Sequence, residues 1–162
     1  MSDFSFEETT EGDNLVISLS GPIDENTSFP EPNLGSASCL VLDLNDVTYI
    51  NSIGIKGWIQ WISPISEKAS VEFRRCPKAI IFQINMVKNF LPDNGKVSSF
   101  YLPLYCESCD EEDSALLEVG KDVVLEGEQV SIKADLSKCK HCGENDVEPD
   151  VIEKKYFRFL HK

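Results

Sequence analysis

Four of the six cysteines fall into two pairs of identical spacing, Cys106-Glu107-Ser108-Cys109 and Cys139-Lys140-His141-Cys142. A Cys-x-x-Cys turn aims two thiolates at one point, and two such turns complete a tetrahedron around a metal ion. Gly143, directly after the second pair, suits the left-handed turn that such knuckles use. Four thiolates leave no open coordination position, so the expected ion is structural and not catalytic. Zinc is the expected metal. An iron site of the four-thiolate type uses the same ligands, and a Cys-x-x-Cys pair can also act as a redox couple. His141 lies between two ligands and reads as a bystander. The 29 residues between the pairs exceed the usual spacing. Two β-like runs, 116–124 and 129–134, account for the length as a hairpin about Glu126-Gly127-Glu128.

No second constellation carries chemistry. The two histidines are His141, inside a knuckle, and His161, near the end of the sequence. No Ser/His/Asp set, phosphate-binding loop or convergent carboxylate pair emerges, so a non-enzymatic role is expected. Cys39 and Cys76 sit beside apolar runs and read as small buried hydrophobes. The opening residues lack a basic stretch followed by an apolar one, and no run approaches the length of a membrane helix. A cytoplasmic protein is therefore expected, where thiols stay reduced and a metal explains paired cysteines better than disulfides do.

Charge divides the chain. Of a formal net charge of −13, residues 1–105 carry −6, residues 106–150 carry −10 and residues 151–162 carry +3. Acidity concentrated around the cysteines repels phosphates and anionic head groups, so neither nucleic acid nor membrane is an expected partner. The expected division is 1–104 for a larger α/β unit and 105–162 for a β-rich lobe with a C-terminal helix. In that helix Val151, Ile152, Tyr156, Phe157 and Leu160 would dock back on the chain.

The elements of 1–104 alternate. An edge strand is expected near 4–8 and a second strand over 14–19. The prolines of 25–38 leave room for at most one short helix. Cys39-Leu40-Val41-Leu42-Asp43-Leu44 reads as a central parallel strand. Ile55, Trp58, Ile59 and Ile62 form one helical stripe from Ser52 onward. A short strand over 70–75 follows. Pro77 then opens a helix to about Leu91, and 97–104 forms the last strand. That second helix has another apolar row, Ala79, Phe82, Met86 and Phe90, expected to pack against the appended lobe. The order predicts an α/β fold, a sheet layered with helices.

Within it, Asn51-Ser52-Ile53-Gly54-Ile55 opens a helix directly after the central strand, and Gly21-Pro22-Ile23-Asp24 follows the preceding strand. These two stretches, at consistent spacing, resemble the STAS family, which comprises sulphate transporter cytoplasmic domains and bacterial anti-sigma factor antagonists. The resemblance covers roughly residues 10–103. It implies a STAS-like mixed sheet and a regulatory protein-interaction role, with an anti-sigma factor or sensor kinase as the partner class. It also implies phosphorylation at Ser52. Asn51 stands where the family has Asp, and Ile53 where it has Ser or Thr. The four-cysteine segment resembles a zinc ribbon.

Ser52 has a simpler reading as a helix N-cap. As a switch it would add about −1.5 to −2 charge beside an interface. Asn51, Ser52, Gly54 and Trp61 are the expected partner-binding residues, with Gly54 allowing close approach of a partner and Trp61 as an aromatic anchor. For both Trp58 and Trp61 a packing role competes. The expected function is thus a non-catalytic regulatory module with structural zinc. Two alternatives stand beside it: an unphosphorylated adaptor, and a redox or iron-binding protein.

Overall fold

The computed structural model describes residues 3–161. Five strands form the first sheet: β1 (Ser5–Glu11), β2 (Asn14–Ile23), β3 (Cys39–Ile50), β4 (Ser70–Arg74) and β5 (Gly95–Val97), paired in that order. β1 is antiparallel to β2, and the other neighbours are parallel. Helices α1 (Ser52–Ser66) and α2 (Lys78–Met86) are the crossovers that parallel pairing requires. The fold class is therefore α/β with a mixed sheet.

One face of this sheet is apolar. Leu15, Ile17 and Leu19 of β2 share a core with Leu40, Leu42 and Leu44 of β3, and with Val71 and Phe73 of β4. Trp58, Ile62 and Ile65 of α1 and Ile80, Ile81 and Ile84 of α2 join it. The Trp58 ring stacks on Phe90 at 4.9 Å and meets Phe73 edge-on at 5.5 Å. Its indole N–H donates to the Phe90 carbonyl at 3.0 Å, which satisfies the one polar atom of a fully buried side chain. On the other face Arg74 of β4 reaches Glu11 of β1 at 3.4 Å, and the register places Val16 and Val41 on the strands between them.

Two elements depart from expectation. β3 runs on to Ile50, six residues beyond the expected strand, and two register shifts against β2 absorb the irregularity. Helix α2 stops at Met86 although the apolar spacing continues, because Val87 turns extended and Asn89 turns left-handed, at φ 70°. That turn sends Phe90 under Trp58. The second apolar row of α2 therefore splits: Phe90 enters the core, Phe82 meets Tyr156 edge-on and Met86 faces solvent. Residues 25–38 form no helix, within the expectation of at most one. Phe29 instead stacks on Trp61 at 4.9 Å.

β6 (Ser99–Cys106) runs unbroken through positions 104 and 105. It begins beside Cys76, whose N–H donates to the Ser99 carbonyl, and ends on the first metal-type cysteine. It pairs antiparallel with β7 (Glu112–Glu118) on one side and β10 (Val147–Pro149) on the other. The expected hairpin is β8 (Val123–Glu126) with β9 (Gln129–Ile132), turning at Gly127. The expected run 116–124 is divided between β7 and β8 by a turn at Gly120, where φ is 95°. Helix α3 (Glu153–Tyr156) continues into a 3-10 turn, Phe157–His161. Tyr156, Phe157 and Phe159 bury their rings around Phe100. Among the described residues, no helix is long and apolar enough to cross a membrane.

Candidate metal centre

The four sulfurs of Cys106, Cys109, Cys139 and Cys142 lie within 4.8 Å of one another. Cys106 Sγ is 3.7 Å from Cys142 Sγ, and Cys109 Sγ is 3.7 Å from Cys139 Sγ. A tetrahedron of zinc–sulfur bonds of 2.3 Å has an edge of about 3.8 Å. A disulfide would need about 2.05 Å, and all six cysteines are free thiols. The cluster fits one metal ion held between two knuckles.

The knuckles repeat each other bond for bond. In the first, the Asp110 N–H donates to the Cys106 carbonyl at 2.9 Å, and the Cys106 N–H donates to Glu111 at 3.0 Å. In the second, the Gly143 N–H donates to Cys139 at 3.0 Å, and the Cys139 N–H donates to Glu144 at 2.9 Å. Each turn is completed by a left-handed residue after its second cysteine: Asp110 at φ 59° and Gly143 at φ 78°. Only the glycine stood out in the sequence. Aligning the two knuckles on their cysteines would have pointed to Asp110 as well.

Further bonds tie the knuckles together. Ser108 donates its hydroxyl to Asp146, whose carbonyl accepts the Glu107 N–H at 3.1 Å. Tyr105 donates to the Asp110 carboxylate, and this bond pushes the phenol up to about 12. The N–H of His141 points at Cys139 Sγ, 3.3 Å away. The Cys139 thiol is pulled down to about 6, first by the Cys142 backbone N–H and then by that of His141. Desolvation pushes the Cys109 thiol up to about 12. The turns thus offer N–H dipoles to a thiolate before any cation neutralises it.

Asp110 gives a sharp test of the knuckle backbone. A left-handed residue with a Cβ costs about 1–2 kcal/mol, and aspartate tolerates it better than most. Asp110→Val should lower stability by about that amount relative to Asp110→Gly. Both variants lose the Tyr105 bond, so the difference in thermal melting isolates the backbone term. Equal melting would contradict the left-handed turn.

The second group of expected residues lies at the start of α1. Here Asn51 is the N-cap, not Ser52: its Oδ1 accepts the Gly54 N–H at 2.8 Å. Its Nδ2 donates to Glu25 at 2.8 Å, which lowers the Glu25 carboxyl. Ser52 is the exposed first residue of the helix, and its hydroxyl has no hydrogen-bond partner among the described residues. Gly54 is buried. A Cβ there would lie 2.1 Å from the Ile23 carbonyl oxygen, so the group approaching this glycine is the chain's own strand β2. Trp61 donates its indole N–H to Pro30 at 2.7 Å and stacks on Phe29, which fastens the 25–38 segment to α1. Cys76 is fully buried, and burial holds its thiol well above the ordinary range.

Fold and site together define an α/β chain carrying a tetrathiolate cluster able to hold a metal ion. No family model and no curated protein matches the chain.

Proposed function

We propose that this chain is a non-catalytic, protein-binding regulatory module whose cysteine-bearing segment is held by structural zinc. The observation that carries the binding role is the surface at the start of α1. Ser52 stands exposed there between two outward apolar side chains, Tyr49 at 53% and Ile53 at 58% exposure. Asn51 performs the capping, so the serine hydroxyl is left free for modification. The α/β fold with a mixed sheet is of the kind the STAS resemblance implies, which supports the same reading.

A phosphate on Ser52 would bring about −1.5 to −2 charge to a surface already holding Glu25 beside Asn51. A partner contacting Tyr49 and Ile53 would then meet a solvated, doubly charged group at the centre of its contact. The partner class that fits is an anti-sigma factor or sensor kinase. Zinc suits the closed four-thiolate set because it needs no open position and performs no redox chemistry there.

Affinity capture with wild type, Ser52→Ala, Ser52→Asp and Ile53→Glu tests the reading. Wild type and Ser52→Ala should retain one common partner. Ser52→Asp and Ile53→Glu should weaken it at least tenfold, about 1.4 kcal/mol. Retention by all four variants would remove the switch and the surface together.

A further inference from the structure

A second apolar surface lies along helix α2. Helix α2 and the segment 150–158 bound a groove of about 340 Å³. Its apolar walls are Phe82, Met86, Ile152 and Tyr156. Two of these stay largely in water, Met86 at 76% and Ile152 at 66% exposure, and Phe82 is exposed at 40%. Scattered apolar residues on a surface need no explanation, but a contiguous set along one groove marks an interaction site. Asn85 lines the same groove. It donates Nδ2 to the Tyr156 carbonyl at 2.9 Å, while its Oδ1 is buried without a partner among the described residues. Buried acceptors are nearly always satisfied in folded proteins.

The rim is basic. Lys78, Lys155 and Arg158 border the groove against one carboxylate, Asp150. Lys78 Nζ sits 5.4 Å from the centre of the Phe82 ring, so part of this charge lies directly over an apolar wall. The surroundings make the sign conspicuous, since residues 1–150 carry a net −16 and residues 151–162 carry +3.

We propose that this groove docks an acidic amphipathic helix from a partner protein. The apolar face of such a helix would cover Met86, Ile152 and Phe82, and its acidic flanks would meet Lys78, Lys155 and Arg158. A small ligand fits less well, because small-molecule sites enclose most of their guest and here the apolar side chains stand out on an open rim. A two-fold dimer through this face fits less well too. A two-fold interface sets the same patch against itself, which would bring the basic rims together. Helix-in-groove recognition reads apolar anchors at helical spacing, and Met side chains adapt readily to such anchors.

The test uses the metal-loaded full chain and three labelled synthetic peptides of about eighteen residues, enough for five helical turns. One carries Leu at helical spacing with Glu flanks. One has the same composition scrambled, and one has Lys in place of Glu. Fluorescence anisotropy should show micromolar binding of the acidic amphipathic peptide and at least tenfold weaker binding of the other two. Met86→Asp and the double variant Lys155→Glu/Arg158→Glu should each weaken the first peptide at least tenfold, with unchanged melting and metal content. Ser52→Asp should bind it as wild type does, which separates this groove from the surface at α1. No binding of the acidic peptide, or equal binding of the scrambled one, would overturn the proposal. So would a dimer in sedimentation that Met86→Asp converts to monomer, which would assign the groove to a second copy.

Discussion

Metal removal is expected to open residues 106–150 while leaving the five-stranded sheet folded. Across these residues only Cys106, Leu117, Val123 and Cys139 are buried, so two of the four interior side chains are metal-type ligands. Such a segment has little hydrophobic core of its own, and a metal held by the four cysteines would replace one. Structural zinc sites supply an apparent binding free energy of about 10–16 kcal/mol, which in a segment with so few buried side chains would be folding free energy. Chelation, or Cys139→Ser, should therefore expose this segment to limited proteolysis and to rapid amide exchange. The near-ultraviolet signal of Trp58 and Trp61 should persist, since Trp58 packs with Phe29, Phe73 and Phe90, and Trp61 with Phe29 and Trp58, none of them within residues 106–150. Cys39→Ser should leave proteolysis unchanged, because that cysteine opens β3 and lies outside the cluster. Undiminished protection of 106–150 after complete metal loss would show that the segment folds without the ion.

Gly54→Ala is expected to be the most damaging single methyl added to the chain. The new Cβ would sit 2.1 Å from the Ile23 oxygen and 2.6 Å from its carbonyl carbon. Both atoms belong to the backbone at the end of β2, so no side-chain rotation relieves the clash. Helix α1 would have to lift from the sheet, which loosens Trp58 in the core. Overpacking of this kind costs about 3 kcal/mol at the upper end of its usual range. For a chain of this size that lowers Tm by roughly 6–12 °C. Gly57→Ala is the matched control on the same helix. Its Cβ would meet only the edge of the Phe29 ring, at 3.3 Å. Its gain in helix propensity, about 1 kcal/mol, offsets that contact. Equal melting of the two variants would contradict the close approach of α1 to β2.

Legibility followed the range of the interactions involved. The metal centre was readable because its geometry is local: each Cys-x-x-Cys closes its own turn, and only the meeting of the two turns is long-range. The stripe of α1 was readable for the same reason, and Trp58 and Ile62 are buried where the spacing put them. The N-cap was misplaced by one residue, although asparagine caps as well as serine does. The spacing of Asn51 to Gly54 was the available signal. Gly54 was read as an opening to a partner because sequence does not show that β2 ends against it. Helix α2 was read too long because Val87 and Leu91 keep the helical period. What ends the helix is the tertiary demand that Phe90 reach Trp58. Strand β7 was missed at its start because Glu112, Asp113 and Ser114 are poor strand formers. Pairing with β6 overrides that preference. The basic groove was divided between an α2 row and a tail seventy residues later, so neither half signalled it alone.

The central claim is a single structural zinc held by four thiolates. X-ray absorption at the zinc edge of the purified full chain, joined to elemental analysis, tests it most directly. The expected result is one zinc per chain with four sulfur neighbours at about 2.3 Å and no lighter ligand. Stoichiometric iron, or zinc with nitrogen or oxygen in its shell, would contradict it.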